Sequence, residues 1–188
     1  MRFAPTDVAK IARSIAEALR NDSSTSEIHL LVDVPGEPVM MRADAVRIEQ
    51  IVWNLVSNAL KFMPSGGKVN VGLQREADKV RLEVADTGVG IAPHLLETIF
   101  DFSQQAPNVP SRARSSGLGI GLSLVRQLLQ LHGGTVEAFS EGEGQRARFV
   151  VWQPADASFA HRQASEMPAD LSIFKAAECS WSKTLKSR

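Results

Sequence analysis

Apolar residues recur at helical spacing in some stretches of the chain and at strand spacing in others. Val8, Ile11, Ile15 and Leu19 fall on one face of a helix running to about Arg20, with Thr6 or Asp7 placed to cap it. IHLLVDV, 28–34, reads as a strand that Pro35, Gly36 and Pro38 interrupt. Asp44 is placed to cap a second helix, AVRIEQIVWNLVSNALKF, whose positions Val46, Ile48, Ile51, Val52, Leu55, Val56, Ala59 and Leu60 form its sheet-facing side. PSGG, 64–67, is a turn. KVNVGLQ and KVRLEVAD alternate apolar and polar residues around READ, which predicts a hairpin of half-buried strands. A third helix, SLVRQLLQLH, follows GLGIGL and is stopped by Gly133 and Gly134. TVEAF and ARFVVW flank the acidic turn EGEG as two further strands.

Residues 92–116 break this rhythm. They are polar and Pro-rich around a short apolar core, HLLETIF, and a loop of that length inside a compact domain is commonly a lid or binding loop. From Ala155 onward the chain is rich in small and polar residues without a clean period, with one helical turn expected near Leu171–Ala177. Hairpins with helices between them predict an α+β fold, a two-layer sandwich of one mixed sheet covered on a single face by helices. The expected organisation is one domain over 1–154 and a tail or linker over 155–188.

Composition narrows the functional classes. The 188 residues carry equal numbers of basic and acidic side chains, which argues against a general nucleic-acid binder. No apolar run approaches the length of a membrane span, and the N-terminus lacks a signal-peptide core. The single cysteine, Cys179, excludes an internal disulfide and a cysteine-built zinc site. A cytoplasmic protein, or a cytoplasmic piece of one, fits these bounds.

Three places could carry chemistry. On the second helix, Asn54, Asn58 and Lys61 share a face away from the apolar one. Asparagine is a poor interior helix residue, and two cost up to about 1 kcal/mol relative to alanine. A solvated face is the bland reading. The functional one is two amide oxygens and an ammonium aimed at a ligand, the oxygens being suited to Mg²⁺, a hard cation that keeps waters and phosphates around it. In VADTGVGIAP, Asp86 ends a strand ahead of Gly88 and Gly90. It is either a capped turn or an acceptor that reads an exocyclic amine such as that of adenine, with glycines that admit a base or sugar. In GLGIGLS, Gly117, Gly119 and Gly121 lead into a helix whose free N–H groups and dipole suit phosphates, although such a run alone is commonly a plain helix start.

NLVSNALKF, DTGVGI, IFDFSQ and GLGIGL, in this order and at these separations, resemble the N, G1, F and G2 boxes of the histidine-kinase catalytic and ATP-binding domain. The wider class is the Bergerat-fold ATPases, among them gyrase, MutL and a large heat-shock chaperone. The resemblance covers about residues 6–154, and the flanks RIEQIVWNL and LVRQLLQLHGGTVEA resemble the kinase branch in particular.

The resemblance implies ATP and Mg²⁺ as cofactors. It implies Asn58 as metal ligand with Asn54 beside it, Lys61 on the phosphates, and Asp86 on the adenine with Gly88, Gly90 and Ile91 around it. Phe100 belongs to the F box. Gly117, Leu118, Gly119, Ile120, Gly121 and Leu122 form the phosphate-binding run. Residues 92–116 correspond to the ATP lid, in which Gln104 or Gln105 is a candidate for the metal and Arg112 or Arg114 for the γ-phosphate. Gyrase-like relatives carry a glutamate at the position of Asn54 to activate water. An asparagine cannot act as that base, so slow hydrolysis and phosphoryl transfer to an outside acceptor are implied.

The chain also departs from the pattern. None of His29, His94, His132 and His161 lies in a run like H-E-x-R-T-P, so the acceptor histidine is expected on a separate dimerisation domain, in the same parent or another chain. His132, ending a helix beside Gly133 where its partial charge suits the helix dipole, reads as a structural residue. Phe100 and Phe102 are one residue apart where the F box usually has two, and GEGQRARF lacks a glycine and small hydroxyl residue frequent in relatives. The implied function is the ATP-binding catalytic domain of a two-component sensor kinase with a downstream response regulator. A nucleotide-binding or docking module without phosphotransfer, or an anti-sigma-type serine kinase, is the alternative. No membrane contact by this chain is expected.

Overall fold

The structure, a computed structural model, describes residues 1–20, 27–76, 78–101 and 121–155. The chain opens with β1 (Ala4–Asp7) and α1 (Val8–Arg20), followed by β2 (His29–Asp33), β3 (Met40–Ala43) and α2 (Ala45–Lys61). The hairpin β4 (Lys68–Glu76) and β5 (Lys79–Asp86) comes next, then a single turn of helix, α3 (Pro93–Leu96). After the undescribed segment come α4 (Gly121–Leu131) and the hairpin β6 (Thr135–Ser140) and β7 (Ala147–Pro154).

Five strands form one mixed sheet in the order β2-β4-β5-β7-β6. β2 runs parallel to β4, the arrangement that needs a crossover, and α2 lies in that connection. The remaining neighbours are antiparallel. Alternation places Val69, Val71 and Leu73 of β4, Val80, Leu82 and Val84 of β5, and Phe149 and Val151 of β7 in one buried row. Against it pack the apolar faces of α1, α2 and α4 in a single core. The other row carries charge. Glu83 pairs with Arg81 and Arg148, whose guanidinium groups lie over the Trp152 and Phe139 rings. This is the expected α+β two-layer sandwich, and no helix among the described residues is long and apolar enough to cross a membrane.

Several expectations are sharpened or corrected. Asp7 caps α1, its Oδ1 accepting from the amides of Ala9 and Lys10 at 3.0 and 3.3 Å. Thr6 is buried and donates to the Ala43 carbonyl at 3.1 Å, which ties β1 to β3. That two-stranded ribbon was not legible, because four residues are too few to show a period. Asp44 begins α2 without a side-chain cap, its carboxylate having turned to accept the Arg2 amide at 2.8 Å. Val46 is exposed rather than sheet-facing, and Gln50 is buried instead, held by the Arg47 guanidinium at 3.0 Å. Of HLLETIF only the first residues are helical. α4 ends as expected. The Gly134 amide reaches back to the Leu129 carbonyl and the Gly133 amide to that of Gln130, with Gly133 at φ 72°, a Schellman closure. The tail beyond Ala155 lies outside the described residues.

Candidate nucleotide site

The site gathers around α2. Its apolar face is spent on the sheet, which leaves Asn54, Asn58 and Lys61 half-buried on another. Burial lowers the Lys61 pKa, and its ammonium lies 5.5 Å from the Phe62 ring centre. A lysine kept partly out of water attracts an anion more strongly than a fully hydrated one.

Asp86 ends β5 and is the one buried carboxylate among the described residues, 5% exposed. Burial pushes its pKa up, opposed by the amides of Gly88 and Ala147. The Gly88 amide donates to Oδ1 at 2.9 Å. Thr87 pins the turn to β4, its amide on the Lys68 carbonyl and its hydroxyl accepting the Lys68 amide, each at 3.0 Å. An aspartate this deep, with no cation acting on it among the described residues, is costly, and a hydrogen-bond donor arriving from outside offsets that cost.

The glycines explain how the pieces meet. A methyl group on Gly88 would stand 2.8 Å from the Phe62 carbonyl, so the loop after β5 closes on the end of α2. One on Gly121 would stand 3.2 Å from Asn54 Oδ1, so the start of α4 abuts the middle of α2. Gly90, at φ 69°, has a reason of its own. A methyl there would meet the carbonyls of Gly142 and Gln145, the latter at 2.5 Å, so what presses on Gly90 is the β6–β7 turn. Ile91, Phe100 and Leu122 belong to the core, Phe100 edge-on to Phe149 at 6.2 Å.

Asn54, Asn58, Lys61, Asp86, Gly88 and Gly121 are thus brought to one region of the fold. Gly117, Leu118, Gly119 and Ile120 lie outside the described residues, as do Gln104, Gln105, Arg112 and Arg114. Sequence reasoning missed the Phe62 carbonyl, the Ala147 amide and Ser140. Only Ser140 left a signal, a hydroxyl just ahead of a glycine-rich turn. His132 is buried, with Nδ1 2.8 Å from the Leu128 carbonyl and Nε2 accepting the Asp44 amide at 3.2 Å. Burial lowers its pKa, so it is a neutral core residue and not a cation on the helix dipole.

Residues 43–157 match the family described as histidine kinase-, DNA gyrase B-, and HSP90-like ATPase, and the chain belongs to that family. Within it the chain is similar to the histidine protein kinase DivJ of Caulobacter vibrioides, 43% identical over 128 residues that make up 68% of this chain and 21% of that protein. It is also similar to the circadian input-output histidine kinase CikA of Synechococcus elongatus, 34% identical over 82% of this chain and 20% of that protein. The chain therefore spans about a fifth of the length of these curated relatives. Among solved structures it resembles the mycobacterial sensor histidine kinase MprB, with TM-score 0.72 and 25% identity over 82% of this chain and 99% of that one. Full-length ShkA, solved in complex with AMPPNP, aligns with TM-score 0.66 and 31% identity over 82% of this chain and 31% of that one.

Proposed function

We propose that residues 1–154 form the catalytic domain of a sensor histidine kinase, which binds ATP and passes its γ-phosphate to a histidine on a separate dimerisation domain, for relay to a response regulator. The observation that carries this reading is the buried Asp86 carboxylate beside the end of α2, where Asn58 and Lys61 sit. The AMPPNP complex of ShkA supports a nucleoside triphosphate as the ligand class.

Asp86 accepts hydrogen bonds only, so it selects the adenine amine and rejects the carbonyl guanine carries there. Lys61 offsets phosphate charge. Asn58 and Asn54 supply neutral amide oxygens, a donor set that fits Mg²⁺, which takes few protein ligands beside phosphates and waters. When bound, Mg²⁺ neutralises charge on the phosphates. Asn54 holds but does not deprotonate, so water is a poor nucleophile here, and an incoming imidazole is left as the acceptor. Catalysis is then positioning and charge neutralisation.

The test mixes the purified chain with labelled ATP, Mg²⁺ and a separately made dimerisation domain carrying its acceptor histidine. Acid-labile label on that partner is expected, with only slow ATP hydrolysis when the partner is omitted. Nucleotide binding without transfer would leave a binding module instead. Fast hydrolysis abolished by Asn54→Ala would overturn the role given to Asn54.

A further inference from the structure

We propose that Ser140 is a positioning residue for the adenine pocket, holding the far end of the loop that begins at Asp86 without touching the nucleotide. This rests on the nucleotide reading above. The loop 86–91 spans the mouth of the β6–β7 hairpin. Ser140 and Ala147 are the last paired residues before the turn. Ala147 also faces Asp86 across the β5–β7 pair, and its amide favours the Asp86 charge. Ser140 Oγ accepts the Ile91 amide at 3.0 Å. One hairpin strand thus holds the start of the loop and the other holds its end. Between them the Gly144 amide donates to the Val89 carbonyl at 2.7 Å, and Gly90 and Glu143 form an isolated bridge.

Ser140 uses its full hydroxyl capacity. Besides accepting from Ile91 it donates to the Gly142 carbonyl at 3.2 Å and accepts the Gly142 amide at 3.3 Å. The same oxygen therefore shapes the turn and anchors the loop. Among the described hydrogen bonds from hairpin to loop, it is the one made by a hairpin side chain. Removing it strands the amide of Ile91, a buried residue, and frees the end of the segment that aims Asp86. Asn58 and Lys61 ride on α2 and not on this loop. Base recognition should suffer while the phosphate end of the site is left in place.

The experiment compares the full chain with Ser140→Ala and Ser140→Thr. Calorimetry reads ATP and GTP binding, and amide hydrogen exchange reads Ile91 in the nucleotide-free protein. For Ser140→Ala the ATP Kd should rise roughly three- to tenfold. The preference for ATP over GTP should shrink, the Ile91 amide should exchange faster, and Ser140→Thr should restore all three. An alanine variant that binds ATP like the parent, or leaves Ile91 exchange unchanged, overturns the positioning role. So does a loss that threonine does not restore. A parent chain that binds no ATP overturns the nucleotide reading of Asp86 instead, and this role with it.

Discussion

At the residue scale, His132 turns burial into a pH dependence. Its ring is sealed between Phe3, 5.1 Å away, and the end of α4. With Nδ1–H on the Leu128 carbonyl, Nε2 must stay unprotonated to accept from Asp44. Burial lowers its pKa below the ordinary 6.5, while the Leu128 carbonyl and the Asp44 charge push more weakly the other way. The unfolded chain takes up its proton near the ordinary value and the folded chain only at lower pH. In that interval the unfolded state binds more protons. Stability is therefore full above about pH 6.5 and falls as the pH drops toward the folded value. Melting temperatures from pH 7.5 to 5.5 should fall for the parent and fall less for His132→Gln. Equal slopes would show that His132 carries none of the dependence.

At the element scale, the same physics made some segments legible and hid others. Long periodic segments read clearly. The buried face of α1, the alternation of β4 and β5 and the glycine closure of α4 each repeat one signal over several residues. β1 and β3, four residues each, repeat nothing, and their pairing is a tertiary event. On α2 the eight-residue apolar face failed near its start, where Val46 is exposed and Gln50 is buried with Arg47 as its partner. The candidate site residues on α2 and at Asp86 stood out because their chemistry conflicts with their local setting. The hairpin clamp did not, because apart from Ser140 the hairpin contributes only backbone groups to its described contacts. β7 holds a similar surprise. Its helix-facing row runs Ala147, Phe149, Val151 and then Gln153, buried at 4% exposure with both amide atoms unpartnered among the described residues. A cavity of about 20 Å³ lies there, lined by Val8, Ile51, Leu129 and Val151. A buried amide without a partner costs about 1–3 kcal/mol, and methionine nearly conserves its volume. Gln153→Met should raise the denaturant midpoint, by about 1 kcal/mol of unfolding free energy. A lower midpoint would mean that the amide is satisfied.

At the scale of the whole molecule, the candidate site forms only when three distant stretches meet. α2, the loop after β5 and the start of α4 lie far apart in sequence, and close approaches at Gly88 and Gly121 bring them together. A ligand spanning them binds the folded chain and not the unfolded one, so its binding energy adds to stability. At a hundred times its Kd this amounts to about 2.7 kcal/mol. For a chain of this length that is a rise in Tm of roughly 5–10 °C. ATP with Mg²⁺ should give such a shift and GTP a much smaller one. Asp86→Asn separates recognition from folding. The amide keeps an oxygen for the Gly88 amide, yet would turn a donor toward the amine of a bound adenine. Because burial already disfavours the Asp86 charge, the variant without ligand should melt at or above the parent temperature, with the ATP shift largely gone. A variant that keeps the full shift would remove Asp86 from base recognition, and one that melts far below the parent would make its carboxylate a structural group instead.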